Sequence, residues 1–438
     1  MNNGNQLKDT NQNVSSTRRV AAAGMIGSAV EWYDFYLYGT ASALVFNQVF
    51  FSNLSPVSGI LASFAAFSVG ILARPLGGIV GGHFGDRYGR KPILVWSLVF
   101  MGSTSVLIGI LPTYAQAGVL APILLTALRV GQGFAVGAEQ GGAAVLAVES
   151  SPVGSRGFWS SLVMSGSSVG LLLASGAIAL TSSVLKDDQF MEWGWRVLFL
   201  ASAVLIVVGL VIRSSIVEPG TYTVADGENG SKKSPFRTLV SSHRKMLVLV
   251  IGMRISQTAA SYFFTVFVLF YINYEVPEHR DIGILAVTVS AALSILTGPM
   301  WGALSDRMGR RALFLFGAVS SAVFIIPFFL IVDTHSPSLI FIGVLLGLNV
   351  FHDAMFGPLA AWFSELFPKD VRFTGTSIGY QFGPVLGGGL LPLIATSLFF
   401  LGGSRPWLIS AYFIFLSVLT ITAAVKAPET KKRIKGLR

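Results

Sequence analysis

The 438-residue sequence contains no cysteine, which excludes disulfides, thiolate catalysis and thiol–metal sites and leaves the redox compartment unreadable. Charge is almost as scarce. Only 12% of residues are Asp, Glu, Lys or Arg, against 53% hydrophobic, where a soluble domain carries about 25% charge. No stretch reads Gly-x-x-x-x-Gly-Lys-Ser/Thr, the loop that cradles nucleotide phosphates, and "GRK" at 89–91 lacks the preceding glycine spacing, so nothing supports direct drive by ATP. No His, Asp or Glu cluster has metal-ligand spacing. The sequence calls for no cofactor, and a proton gradient is the driving force left to consider.

What fills the chain instead is apolar sequence. Runs of 18 or more residues recur along its length, each long enough to cross a bilayer. Twelve spans are predicted, near 20–48, 57–82, 92–111, 120–148, 157–182, 195–213, 246–272, 281–304, 312–332, 337–363, 374–399 and 406–425. The 48 glycines suit helices whose backbones approach closely. The first 17 residues are polar, and the segment after Arg18-Arg19 is too long and too acidic for a cleaved signal peptide, so it reads as the first span. The net charge of +10 raises nucleic acid as a partner, but the placement of the charges removes it. With the N-terminus in the cytoplasm, 24 of the 31 Lys and Arg fall in the termini and even-numbered loops. Lys186, Arg196, Arg280 and Arg405 fall outside, and Arg74, Arg129 and Arg254 fall within the membrane. This is the positive-inside asymmetry, and it predicts that both termini are cytoplasmic.

One long polar interruption, from about Ser214 to Lys245, holds "DGENGSKKSP" and predicts a loop followed by a short surface helix near Ser234. It divides the chain into an N-terminal six-helix bundle (1–213, with tail 1–19), a linker (214–245) and a C-terminal six-helix bundle (246–438, with tail 426–438). The halves echo each other. "GHFGDRYGRK" (82–91) returns as "GALSDRMGRR" (302–311), so Asp86, Arg87 and Arg90 reappear 220 positions on as Asp306, Arg307 and Arg310. Glu149 and Arg156 return 216 positions on as Glu365 and Arg372. Two six-helix repeats, with a site between them near the midplane, are a transporter architecture.

These motifs identify a resemblance. The loop with Asp86, Arg87, Gly89, Arg90 and Lys91 looks like the signature of the major facilitator superfamily, and "RVGQGFAVGAE" (129–139) looks like the fourth-helix motif of its proton-coupled members. "EWYDFYLYG" (31–39), "RPLGG" (74–78), "EWGWR" (192–196) and "ELFPKDVRFTG" (365–375) resemble the metabolite:proton symporter family, and "NVFHDAM" (349–355) is most similar to its shikimate-transporter branch. The resemblance implies an all-α integral membrane protein of twelve helices in the cell membrane of a bacterium, alternating access, and uptake of a small metabolite with a proton. It also implies that the first and fourth helices of each half line the cavity. Because one chain contains a full pathway, a functional monomer is expected.

Ionisable residues in the membrane are few: Glu31, Asp34, Arg74, Arg129, Glu139, Arg254, His352 and Asp353. A charge at mid-bilayer costs a few kcal/mol or more and by default marks function. Asp34 with Arg129 reads as the ion pair of the N-terminal half, with Glu31 and Glu139 at comparable depth as the next candidates for the proton. Arg254 lies 220 positions beyond Asp34, so the C-terminal half carries the charges swapped, a base in its first span facing His352 and Asp353 in its fourth. His352 and Asp353 are adjacent, hence about 100° apart on a helix, so one is expected at the cavity and the other against a neighbouring helix. Tyr33, Tyr36 and Tyr38 cannot all face inward for the same reason. Arg74, before Pro75 and two glycines, reads as part of a kinked packing region whose guanidinium snorkels or bonds helix carbonyls. Gln257 and Tyr262 share a face with Arg254, and Ser165, Ser168, Asn349, Tyr380 and Gln381 sit in spans expected to line the cavity. Asp86, Arg87, Arg90, Asp306, Arg307, Arg310 and the Glu149/Arg156 and Glu365/Arg372 pairs read as gating salt bridges that hold one access state.

The function expected is proton symport of a small organic anion, a shikimate-like or aromatic-ring monocarboxylate, with Arg129 and Arg254 on the carboxylate and Asp34 or Glu31 on the proton. Alternatives are symport of di- or tricarboxylates such as 2-oxoglutarate, or of a zwitterionic osmolyte such as betaine or proline. Osmosensing relatives carry a long coiled-coil C-terminus, whereas about a dozen residues follow the last span here. A drug:proton antiporter is disfavoured by the two arginines and an enzyme by the repeat; a transporter-like sensor would look the same in sequence.

Overall fold

The computed structural model describes residues 25–88, 90–139, 145, 148, 149, 151–215, 235–369 and 371–431, and every regular element among them is helical. Helix α1 covers 25–44. It is followed by α2 (Pro56–Tyr88), α3 (Arg90–Ile110) and α4 (Leu120–Glu139), then α5 (Arg156–Val184) and α6 (Asp187–Val211). A short helix, Pro235–Ser242, stands where the surface helix was predicted. The second half comprises α7 (Arg244–Glu275), α8 (Arg280–Met308), α9 (Arg310–Val332), α10 (Pro337–Leu366), α11 (Arg372–Leu401) and α12 (Trp407–Lys426). These fall on the twelve predicted spans. Helices α2 and α4–α12 are long and apolar enough to cross a bilayer, and α3 carries a shorter apolar stretch, Val95–Ile110. The tail 1–19 and most of the linker lie outside the described residues, as do the side chains of Asp86, Arg87, Arg90 and Glu139.

Glycine sets how these helices approach. Between α2 and α4 the backbones touch: a Cβ on Gly133 would lie 1.7 Å from the Gly70 carbonyl oxygen, and one on Gly77 would lie 1.9 Å from that of Phe134. Lipid tails are as apolar as leucine, so close backbone packing supplies the attraction that hydrophobic burial supplies in water. The same device joins the two halves. A Cβ on Gly157 of α5 would lie 2.4 Å from the Gly302 oxygen of α8, and one on Gly302 would lie 2.5 Å from the Gly157 oxygen. Contacts between halves run through α5 with α8 and α10, and through α2 with α11.

Three of the second half's helices are locally wound as π-helix: Phe263–Phe267 in α7, Leu346–His352 in α10 and Val385–Gly389 in α11. Such turns frequently mark functional sites. At the end of α8, Gly309 adopts φ 108°, a conformation cheap only for glycine, and α9 begins at the next residue. The start of α9 is capped from a distance, because Glu429 accepts from the Arg310 and Arg311 amides at 3.1 and 2.9 Å.

Candidate functional site

A cavity lies where α1, α2 and α5 face α7, α8, α10 and α11. Its cations are Arg74 and Arg254, 1% and 5% exposed. Trp32, Tyr36 and Phe356 give it aromatic walls, and Ser168, Gln257 and Tyr262 give it polar ones. Arg74 therefore does not snorkel. Its guanidinium lies 4.3 Å from the Phe35 ring centre and 5.9 Å from that of Trp32, buried between helices. Among the described residues its Nε and Nη2 lack hydrogen-bond partners, as does Nε of Arg254. The Tyr262 hydroxyl stands near Arg74 without a hydrogen bond of good geometry.

The expected residues of the second half form one continuous chain. Arg254 Nη1 donates to Gln257 Oε1, Gln257 Nε2 meets His352 Nε2 at 2.8 Å, and His352 Nδ1 meets Asp353 Oδ1 at 3.0 Å. The other oxygen of Asp353 accepts from Ser294 at 2.7 Å and Thr297 at 2.5 Å, both on α8. Both His352 and Asp353 thus line the cavity, correcting the expectation that only one would. They sit at the joint between the π-turn and the regular helix of α10, where the side chains reach each other, and only the far oxygen of Asp353 turns to the neighbouring helix. Asn349 donates to Ser294 at 2.9 Å and supports this chain from outside the lining.

The first half holds a parallel chain. Arg129 Nη1 donates to Gln132 Oε1 at 3.0 Å, Gln132 Nε2 donates to Ser105 Oγ at 2.7 Å, and Asp34 is bonded by Ser105 and Ser202. The expected Asp34–Arg129 ion pair is absent among the described residues. Arg129 instead lies 4.2, 4.8 and 4.9 Å from the ring centres of Tyr38, Phe35 and Phe67, and Gln132 and Ser105 fill the path between it and the acid. Nor does Arg129 line the cavity. Gly70 makes room for its side chain within the first half, since a Cβ there would lie 2.7 Å from Arg129 Nε. Helix α4 stands behind α2, and Arg74 occupies the place at the cavity that Arg129 was expected to take. The Phe35 ring is shared by both guanidiniums. The three tyrosines divide as predicted: Tyr36 lines the cavity, Tyr33 donates to the Leu198 carbonyl at 2.9 Å, and Tyr38 covers Arg129. Glu31 is half-buried on α1.

Two further expectations move. Tyr380 lies under Arg254, 4.6 Å from ring centre to guanidinium, and Gln381 donates to the Gly137 carbonyl at 3.3 Å; neither lines the cavity, and Gln381 joins α11 to α4. Ser165 bonds back to its own helix at the Ser161 carbonyl. Arg74, Trp32, Ser105, Ser202, Ser294 and Thr297 are the contributors that sequence reasoning passed over or placed elsewhere.

On the side of the repeated loops, Asp306 caps α5. Its two oxygens accept from the Gly157 and Phe158 amides at 2.9 and 3.0 Å, while Arg310 pairs with it at 2.7 Å. Glu149 pairs with Arg372 of the other half at 3.1 Å. Glu365 turns instead to Arg310 at 3.4 Å and Thr430 at 2.5 Å. Arg307 is exposed, and Nε of Arg156 has no hydrogen-bond partner among the described residues. On the other side of the cavity the halves meet through apolar groups. The Tyr262 ring lies 5.8 Å from Phe67 and the Phe270 ring 6.1 Å from Phe64, and Ser68 donates to the Gly389 carbonyl at 2.6 Å.

A central cavity between two helical halves, with contacts across it on both sides, can be compared with known proteins. Residues 20–238 match the sugar (and other) transporter family, and residues 277–437 match the major facilitator superfamily. The shikimate transporter of Escherichia coli is 40% identical over 88% of this chain and 88% of its own length. The chain belongs to the major facilitator superfamily. A proline/betaine transporter of Salmonella typhimurium is 31% identical over 96% of this facilitator and 85% of its own length. Among solved structures, a D-xylose–proton symporter superposes with a TM-score of 0.74 at 16% identity, covering 94% of this chain and 98% of that one, which shows the shared fold. This facilitator is a multi-span transporter of the bacterial inner membrane.

Proposed function

We propose that this facilitator couples proton entry to uptake of a small organic anion, a ring monocarboxylate of the shikimate type. The observation that carries this reading is the charge balance of the cavity. Arg74 and Arg254 both present unbonded N–H groups, and Asp353, the carboxylate facing them, has both oxygens engaged by His352, Ser294 and Thr297. One positive charge is left over with His352 neutral, and a guanidinium takes a carboxylate through two parallel hydrogen bonds. Trp32, Tyr36 and Phe356 offer surfaces to a ring, and Ser168 and Gln257 offer partners to its hydroxyls. A zwitterion such as proline would need an unengaged carboxylate for its cation. The shikimate transporter's resemblance adds to this reading.

The proton falls to Asp34. It is buried, accepts from Ser202 and Ser105, and has no cation in direct contact among the described residues. An anion at Arg74 sets negative charge against the positive field of Arg129, the one cation that acts on Asp34, and so favours protonation of the acid. By linkage, protonation then favours the anion. One proton and one monoanion together leave the buried charge as it is in the empty protein, so the halves can close over the midplane in either state without stranding a charge. A D-xylose–proton symporter shares this fold.

The test is uptake of labelled shikimate into proteoliposomes, with 2-oxoglutarate and proline alongside. In Asp34→Asn, gradient-driven uptake is expected to collapse while shikimate exchange continues. Wild-type rates in both assays would remove Asp34 from coupling, and uptake of proline or 2-oxoglutarate in place of shikimate would overturn the substrate.

A further inference from the structure

We infer that Gln257 is a rotating amide switch through which a proton on His352 releases Arg254 into the cavity, giving the second half a proton-linked element of its own. The direction of its hydrogen bonds carries the argument. A guanidinium only donates, so Gln257 must turn its carbonyl oxygen to Arg254 and its NH₂ to His352, whichever way an amide would otherwise be assigned. The His352 Nε2 that receives this NH₂ is therefore a bare acceptor, which places the ring hydrogen on Nδ1, where it is donated to Asp353 Oδ1 at 3.0 Å. Every bond in the chain points from Arg254 to Asp353.

A proton arriving at His352 has one place to go, Nε2. The ring then donates from both nitrogens, and its new N–H faces the NH₂ of Gln257 2.8 Å away. Two donors cannot share that contact, so the amide turns over and offers its oxygen to the imidazolium. Its NH₂ now faces Arg254, again donor against donor, and Arg254 Nη1 is released. The imidazolium stays paired with Asp353, itself fixed by Ser294 and Thr297. The titratable and charged groups facing the same cavity are Tyr36 on α1, Arg74 on α2, Arg254 and Tyr262 on α7, and Asp353 on α10. Protonation thus adds one positive charge and one freed N–H to an anion site. In this scheme anion affinity is higher with His352 protonated than with it neutral. The role given to the anion rests on the function proposed above; the hydrogen direction does not.

Two measurements decide it. In ¹⁵N-histidine-labelled protein in nanodiscs, the His352 signal is assigned by its loss in His352→Gln. Its neutral form is expected to carry hydrogen on Nδ1 and none on Nε2. In Gln257→Glu, whose carboxylate accepts from both neighbours without turning, the imidazolium is expected to persist about one pH unit higher or more, a tenfold change in proton affinity. Gln257→Met, which offers no carbonyl, should move the titration the opposite way. A neutral ring protonated on Nε2, or a titration indifferent to both variants, overturns the inference. The second measurement is shikimate binding by calorimetry in Asp34→Asn, where the first half no longer titrates. Affinity is expected still to fall with rising pH, and to lose that dependence once His352→Gln is added. A pH-independent affinity in Asp34→Asn overturns the switch. If the wild type binds no shikimate, the substrate reading fails and the tautomer result still decides the switch.

Discussion

Arg74 and Arg129 share one aromatic ring but stand in different surroundings, and the difference is measurable. Arg74 faces the cavity with two unbonded nitrogens. Arg129 is bonded to Gln132 and enclosed by Tyr38, Phe35 and Phe67. Lysine keeps the charge but loses the planar fork, and a hydrogen bond to a charged group is worth about 1.5–3 kcal/mol. Arg74→Lys is therefore expected to raise the KM for shikimate about tenfold or more in both uptake and exchange. Arg129→Lys is expected to impair gradient-driven uptake while leaving the exchange KM within about twofold. Equal effects on exchange would put both arginines at the substrate. Asp34, Arg254, His352 and Asp353 were legible in the sequence because an ionisable residue in an apolar run stands out. Ser105, Ser202, Ser294 and Thr297 were not, because serine and threonine occur throughout membrane helices as ordinary interhelical glue. The exchange of roles between Arg74 and Arg129 was hidden for another reason: it depends on how α2 and α4 are rotated against each other, which spacing along one chain does not specify.

That rotation is an element-scale property, fixed where glycines of α2 and α4 touch. A Cβ on Gly133 would lie 1.7 Å from a carbonyl oxygen that has no room to retreat, and overpacking of this kind costs about 1–3 kcal/mol even where neighbours adjust. Gly133→Ala is expected to lower the midpoint of thermal unfolding in detergent, followed by tryptophan fluorescence, and to weaken transport by shifting α4 with its Arg129 chain. Gly27 of α1 has no heavy atom within 4 Å of where its Cβ would lie. Gly27→Ala is expected to be neutral or slightly stabilising, since alanine favours helix over glycine by about 0.5–1 kcal/mol. Equal midpoints for the two variants would show that the α2–α4 contact does not set stability. Hydropathy alone located all twelve helices, because a bilayer imposes a length and an apolar composition on each. The π-turns of α7, α10 and α11 left no such trace, and it is one of them that brings His352 and Asp353 together at the cavity.

Across the whole molecule, the polar groups at the cavity's loop side tie the halves together as well as pairing within their own half. From the linear sequence, Glu149 with Arg156 and Glu365 with Arg372 read as matched pairs inside each half. In the structure Glu149 reaches Arg372, and Asp306 of the second half caps α5 of the first. Facing halves bring Glu149 to the start of α11, a proximity that no spacing within one half reveals. These polar ties close one side of the cavity, while aromatic contacts and the Ser68–Gly389 bond close the other. An access state held by few contacts shifts when one side loses some of them, by as much as the difference in contact energy between states. The absence of cysteine lets this be read directly. Gly154, whose Cβ would meet nothing within 4 Å, and Lys369 are exposed on the polar side in opposite halves. Spin labels on Gly154→Cys and Lys369→Cys report the gap between the halves by double electron–electron resonance. Adding Arg372→Gln, Asp306→Asn, or both is expected to move the distance distribution to longer values, most in the combined variant, and to leave unfolding midpoints nearly unchanged. Distances that stay put in the combined variant would show that the aromatic side, not the ion pairs, holds the closed arrangement.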